Sequence, residues 1–187
     1  MKFNKSRRSS PPRLALALFA LALAQLARAD AVRVTAGYGE GINLYALVLQ
    51  FDRAAPVHQF AGWEMTAHVD LGVGEFQGHR ASSASQNTNR ALAAIGKLRW
   101  QRRDAQPLTP FVEFGFGLAG FSETTIGGVR HLGGDFEFTE VLRTGVRFGS
   151  HLQYEVGLAG QHFSNAGLFP PNEGVTYVSL SGAWYFR

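Results

Sequence analysis

Residues 162–167 read His-Phe-Ser-Asn-Ala-Gly, which places a histidine and a serine two positions apart. In a β-strand that spacing puts both side chains on one face, close enough for an imidazole to reach a hydroxyl. A base beside a hydroxyl is the minimal set for nucleophilic acyl transfer. A His-x-Ser pair also occurs by chance, so the meaning of His162 and Ser164 depends on the strand that carries them.

Apolar and polar residues alternate through most of the chain, which favours β-strands over amphipathic helices. The pattern is clearest where Val112, Phe114, Phe116 and Leu118 alternate with small or acidic residues. Several such segments exceed the usual globular length and reach the roughly ten residues typical of transmembrane β-barrels. The predicted strands are 31–38, 42–53, 59–74, 89–102, 109–122, 135–149, 151–165 and 175–187.

The less apolar face of these strands mixes glycine and alanine with charges of both signs. Small residues and compensating charges suit a narrow, filled lumen, whereas a face of Phe, Leu and Val suits lipid. On the polar face, His68 and Asp70 favour an ion-pair network over a metal site. We therefore predict an all-β fold, an eight-stranded antiparallel transmembrane β-barrel of the outer membrane. A soluble ligand-binding barrel with its faces inverted is the alternative architecture.

The first 29 residues have the composition of a secretory signal peptide: a basic start, the apolar run 14–26, and Ala27-Arg28-Ala29 as a small-x-small cleavage site. Cleavage removes six of the 18 basic residues and none of the 14 acidic ones, which leaves a formal charge of −2. The basic character of the whole chain is therefore no sign of nucleic-acid binding. The chain has no cysteine, which excludes thiol catalysis and cysteine-bound metals. The predicted domains are a signal peptide, 1–29, and a barrel domain, 30–187.

Loop lengths predict which end of the barrel faces outward. Bacterial barrels keep short periplasmic turns and longer outer loops, so the end that holds both termini is expected in the periplasm. The short connections are 52–58, 103–108 and Gly149-Ser150, and the long ones are 75–88, 123–134 and 166–174.

Strand parity then gives the His-Ser pair a location. His162 and Ser164 continue the even-numbered apolar series Tyr154, Val156 and Leu158, so they are predicted to project toward lipid at the outer end of their strand. A polar pair there is costly unless it has partners or meets a polar headgroup. The position predicts a nucleophile and a base presented to a lipid of the outer leaflet.

The segment 162–167, followed by Pro171-Asn172-Glu173-Gly174 and a closing aromatic strand, resembles the lipid A 3-O-deacylase (PagL) family. Members are eight-stranded outer-membrane esterases that remove the 3-linked acyl chain of lipid A. The resemblance implies that Ser164 is the nucleophile and His162 the general base. It also implies that the oxyanion is stabilised by Asn165 and the backbone around Ala166 and Gly167.

The chain departs from the family pattern at one position, because the family's third triad residue is a glutamate where Thr176 stands here. Parity puts Thr176 on the face of the pair, but a threonine cannot act as a carboxylate. The nearest acid is Glu173, three residues earlier. Either Glu173 orients His162, as acids at different positions do in convergent triads, or the base has no carboxylate partner and activity is reduced or lost.

We therefore expect an esterase that removes the 3-O-linked acyl chain of lipid A, with neither metal nor cofactor. Its expected partner is lipid A, or lipopolysaccharide, of the outer leaflet, and the barrel is embedded in the membrane. A homodimer is also compatible with the sequence. Because of Thr176, the alternative is a catalytically weak or inactive small barrel with a structural or adhesive role.

Overall fold

A computed structural model describes residues 28–78, 88–103, 107–127 and 130–186. The predicted signal peptide, 1–29, lies outside the described residues except for its last two positions. Within the described ranges, no helix is long and apolar enough to cross a membrane. The strands are β1 (Ala31–Gly39), β2 (Ile42–Asp52), β3 (His58–Phe60), β4 (Trp63–Gly78), β5 (Thr88–Arg102), β6 (Leu108–Phe121), β7 (Thr125–Ile126), β8 (Arg130–His131), β9 (Phe136–Phe148), β10 (Tyr154–Ser164) and β11 (Val175–Tyr185).

Eight of these strands form a closed antiparallel barrel. The hydrogen-bonded order runs from β4 through β5, β6, β9, β10, β11 and β1 to β2, and β2 pairs with β4 to close the ring. Closure pairs each of these eight strands on both sides, which a sheet in lipid requires because no water is there to satisfy the backbone. The predicted eight-stranded antiparallel barrel is confirmed.

The outside of the barrel is apolar and its inside carries the charges. On β6, Glu113 is fully buried in the lumen, while Val112 and Phe114 are 50% and 57% exposed on the outer surface. The same alternation runs along β10 and β11. A soluble barrel has the reverse arrangement, so the predicted assignment of faces is confirmed and fits a barrel surrounded by lipid.

An ion-pair network fills the half of the lumen nearer the termini. Glu113 accepts hydrogen bonds from Arg99 and Arg143, each at 2.7 Å, and its carboxylate lies 3.1 Å from Nε2 of His68. Glu155 pairs with the same two arginines at 2.8 and 2.7 Å. Buried charges are tolerated when they are paired in this way. The predicted network is confirmed, and its further members are Arg33, Asp70 and Lys97.

An aromatic cluster fills the opposite half of the lumen. Phe163 of β10 is 3% exposed and its ring packs edge-on against Phe76, Phe121 and Tyr177 at centroid separations of 5.6–6.2 Å. Such edge-to-face packing adds to the stabilisation from burying the rings. The cluster fixes the inner side of the strand segment whose outer side carries His162 and Ser164.

Two connections at the terminal end differ from the prediction. The expected continuous strand 59–74 is interrupted by a two-residue turn at Ala61 and Gly62, whose φ angles of 49° and 80° are those of a tight hairpin. The strand expected at 151–165 begins at residue 154, because the chain needs residues 149–153 to reverse direction. Alternation of residue type does not reveal where a strand bends, which explains both errors.

Candidate active site

β10 presents His162 and Ser164 on the outer surface of the barrel, at the end remote from both termini. Phe163 between them points into the lumen, so its neighbours must point outward. Both outward side chains are half-buried. The expected shared face of His162 and Ser164 is therefore present in the structure.

The imidazole of His162 is held by β11. Residues 162 and 176 are directly opposite in the β10–β11 register, and 2.8 Å separates Nδ1 of His162 from Oγ1 of Thr176. When the hydroxyl oxygen accepts the Nδ1 proton, Nε2 keeps its lone pair and can act as a base. The prediction that Thr176 faces the pair is confirmed.

Gly174 has no side chain and so leaves space for the other edge of the imidazole ring of His162. A Cβ at this position would lie 3.1 Å from Cε1 and 3.4 Å from Nε2 of His162, and 2.9 Å from the carbonyl oxygen of Phe163. The glycine also has a φ of +57°, which side-chain-bearing residues rarely adopt. The imidazole of His162 therefore packs against the backbone of Gly174.

Asn165 holds the turn that follows the serine. Its side-chain NH₂ donates to the carbonyls of Leu132 and Phe169, and its backbone N–H donates to Oδ1 of Asn172, 3.1 Å away. The residue is fully buried. Its amide hydrogens are therefore committed to neighbouring loops, and the expected oxyanion role of the side chain has no free donor in this conformation.

Ala166 and Gly167 form the exposed tip of that turn. Their φ angles are +56° and +79°, and the N–H of Leu168 closes the turn on the carbonyl of Asn165 at 3.1 Å. Within the described part of the chain, the two tip amides have no hydrogen-bond acceptor. They follow Ser164 by two and three residues in the sequence.

Glu173 is engaged elsewhere. Its carboxylate accepts the backbone N–H of His131 at 2.7 Å, and its own N–H donates to the carbonyl of His131 at 3.1 Å. This pair of bonds ties the loop before β11 to β8. The structure thus joins His162 to Thr176, and a triad through Glu173 would require its carboxylate to leave its present partner.

The second register neighbour of His162, Glu140, was not among the site residues predicted from the sequence. Residue 140 of β9 is directly opposite residue 162 on the side away from Thr176, and the side chain of Glu140 is exposed on the outer surface. The sequence did contain a signal for Glu140. Its even number places it on the same face of β9 as Phe138 and Leu142, which is the outer face. A metal site is not indicated, since no group of three His, Asp or Glu side chains in the described ranges is placed to hold an ion.

Comparisons with known proteins agree with this fold. The family model described as lipid A 3-O-deacylase (PagL) matches residues 40–184. Lipid A deacylase PagL of Pseudomonas aeruginosa is 28% identical over 166 residues, spanning 87% of this chain and 91% of that protein. The crystal structure of the outer membrane enzyme PagL matches with a TM-score of 0.72 and 26% identity, covering 82% of this chain and 98% of the crystallised one. The similarity and the barrel together locate the chain in the outer membrane.

Proposed function

We propose that this chain, which belongs to the lipid A 3-O-deacylase family, hydrolyses the 3-O-linked acyl ester of lipid A. The observation that carries the proposal is the placement of His162 and Ser164 on the lipid-facing surface, at the barrel end with the long loops. A lipid of the outer leaflet reaches this surface by lateral diffusion. It need not enter the lumen, which aromatic rings and ion pairs fill.

In the proposed reaction, Nε2 of His162 takes the hydroxyl proton of Ser164 while Oγ attacks the acyl carbonyl carbon. The resulting tetrahedral species carries its negative charge on the former carbonyl oxygen. Its collapse breaks the bond between the acyl carbon and the sugar oxygen, which takes the proton back from His162. Water then attacks the acyl-serine while His162 takes its proton. The bond between the acyl carbon and Oγ breaks, Oγ of Ser164 takes the proton back from His162, and the free fatty acid leaves.

The oxyanion would be met by the backbone N–H groups of Ala166 and Gly167. Donors of this kind each contribute about 3–4 kcal/mol to transition-state stabilisation. Asn165 supports them indirectly, because its bonds to Leu132 and Phe169 hold the turn in place. Preorganisation of the tip, rather than a donation from the Asn165 side chain, is the role that the contacts support.

The outer wall beside the pair can carry the acyl chain. Leu142, Leu158, Val178 and Leu180 lie on β9, β10 and β11 below the site and are 53–65% exposed. An acyl chain against this wall remains in an apolar environment while its ester reaches Ser164. The groups that take part in the proposed reaction are then protein side chains, backbone amides and water.

The second candidate function is a weak or inactive barrel with a structural or adhesive role. It is favoured by Thr176, which occupies the position of the expected acid, and by the carboxylate of Glu173, which binds His131. Loss of the orienting acid from a triad still leaves substantial catalysis over water. The absence of a carboxylate on Nδ1 therefore lowers the expected rate without removing the reaction.

Mass analysis of lipid A tests the proposal. Cells that lack a lipid A deacylase would express the wild type or Ser164→Ala, with equal amounts of folded barrel verified in the membrane fraction. We expect one 3-linked acyl chain to be lost with the wild type and retained with the variant. Unchanged lipid A in both strains would favour the non-catalytic barrel.

A Glu173→Gln variant in the same cells tests the remaining triad hypothesis. If Glu173 orients His162, deacylation should fall sharply. If it bridges loops as observed, the amide oxygen can still accept the N–H of His131, and deacylation should continue.

A further inference from the structure

Glu140 is a charged side chain on a surface that faces lipid. In β9 the even-numbered positions from Phe136 to Thr144 point outward, and the odd-numbered ones are buried in the lumen. Glu140 shares this outer face with Phe138 and Leu142. A carboxylate on the lipid-facing side of a barrel is unfavourable, and such residues commonly mark a functional site.

The other charged side chains on the outer face are accounted for. Near the outer rim, Glu75 and Arg90 form an ion pair at 3.3 Å. Arg102 lies at the opposite end, where β5 finishes. In the described ranges, Glu140 has neither a hydrogen bond nor an ion pair, and its directly opposite residue on β10 is His162.

The register places Glu140 close to the imidazole. Directly opposite residues of an antiparallel pair have Cβ atoms about 5 Å apart, and both side chains here project from the same face. Thr176 occupies the corresponding place on the other flank and already holds Nδ1 at 2.8 Å. His162 therefore stands between a hydroxyl on β11 and a carboxylate on β9.

We propose that Thr176 and Glu140 divide between them the work of the missing triad acid, a proposal that rests on the esterase function proposed above. A triad acid orients the imidazole in the correct tautomer and stabilises the imidazolium that forms during reaction. Thr176 performs the first task through its bond to Nδ1. Glu140 performs the second from the opposite flank, because its negative charge lies beside the ring when Nε2 takes the proton of Ser164.

Glu140 is thus a positioning residue that acts through His162 and leaves the substrate untouched. Its charge stabilises only the protonated ring, which exists in the transition state and the tetrahedral intermediate. Loss of an interaction made only there lowers kcat and leaves KM unchanged. Direct contact is not required, because unit charges as far as about 10 Å apart at the edge of a protein still change a rate about tenfold.

The test uses the full-length protein, folded in detergent, with lipid A as substrate. Glu140→Gln keeps the shape of the side chain and removes its charge, and we expect kcat to fall about tenfold at unchanged KM. Glu75→Gln is the matched control, since it neutralises a carboxylate on the same outer face away from the site, and its kcat should equal that of the wild type. Equal losses in both variants would show a general effect of surface charge and overturn the proposal.

A second-site variant separates charge from structure. In the Glu140→Gln background, Thr176→Glu returns a carboxylate to the ring from the opposite flank, and we expect kcat to recover to at least the wild-type value. Because Thr176→Glu alone is expected to raise kcat, the double variant is compared with that single variant, and Glu140→Gln should then cost much less than tenfold. A purely structural defect at residue 140 would lower kcat by the same factor with or without Thr176→Glu, and that result contradicts the proposal.

The outcomes distinguish this inference from the function on which it rests. An inactive wild type overturns both. An active wild type, an inactive Ser164→Ala and an unchanged Glu140→Gln leave the esterase standing and overturn the role of Glu140.

Discussion

Replacing Gly174 by alanine should displace the imidazole of His162, the proposed base. The new Cβ would lie 3.1 Å from Cε1 of His162 and 2.9 Å from the carbonyl oxygen of Phe163. Carbon atoms in comfortable contact are about 3.5–4.0 Å apart, so the ring must retreat by about half an ångström. A misplacement of about 1 Å can cost about a hundredfold in rate, so we expect kcat to fall about tenfold.

The same substitution also carries a conformational cost, which the control must match. The φ of +57° at residue 174 makes alanine unfavourable by about 1 kcal/mol. Gly41, in the turn between β1 and β2, has a φ of +84° and nothing within 4 Å of an added Cβ. Gly41→Ala therefore reproduces the backbone strain without touching the site.

The assay is release of fatty acid from lipid A by purified barrels, together with urea unfolding in lipid vesicles. Both variants should lose a comparable amount of unfolding free energy through strain, with a further loss in Gly174→Ala from the contact with Phe163. Only Gly174→Ala should lose activity. Full activity of a folded Gly174→Ala barrel would show that the ring does not need its observed position.

Three further predictions concern the support of the site and of the barrel. Thr176→Val should lower kcat severalfold, because it removes the hydroxyl that binds Nδ1 of His162. Thr176→Glu should raise kcat, since hydrogen bonds to charged groups are stronger. Steady-state kinetics at saturating lipid A measure both effects. Asn165→Ala leaves the buried carbonyl of Leu132 and the part-buried carbonyl of Phe169 without their donor, so the turn should loosen and activity fall, with a loss of about 1–3 kcal/mol in vesicle unfolding. Glu113→Ala removes one of the two buried carboxylates that Arg99 and Arg143 share, so it should destabilise the barrel by about 3–5 kcal/mol in the same unfolding assay.

The barrel could be predicted because, in a lipid-facing barrel, the type of a residue and its odd or even position in a strand both indicate which face of the strand it occupies. Alternation along β6 gave both the strand and its lumen face, and the charges of Glu113 and His68 indicated a filled interior. The same rule placed His162 and Thr176 on one face. Parity is a local property, so a single sequence is sufficient to determine it.

Partners across strands were harder to predict, because parity gives a face and does not give a register. Which residue of β9 lies beside His162 depends on the pairing of whole strands, so Glu140 was missed. Loop contacts depend on still longer-range packing: the bonds of Glu173 to His131 and of Asn165 to Leu132 join segments more than thirty residues apart. These contacts determine which hydrogen-bond donors and acceptors remain free at the site, and local sequence patterns do not reveal them.

Hydrolysis of an acyl ester of lipid A by Ser164, activated by His162, is the reaction that we propose. It is tested most directly by incubating the purified, folded protein with lipid A in water enriched in ¹⁸O and analysing both products by mass spectrometry. The wild type should yield a lipid A that has lost one 3-linked acyl chain and a fatty acid that contains one heavy oxygen, and Ser164→Ala should form neither product. Intact lipid A after incubation with folded wild type, or equal turnover by Ser164→Ala, would contradict it.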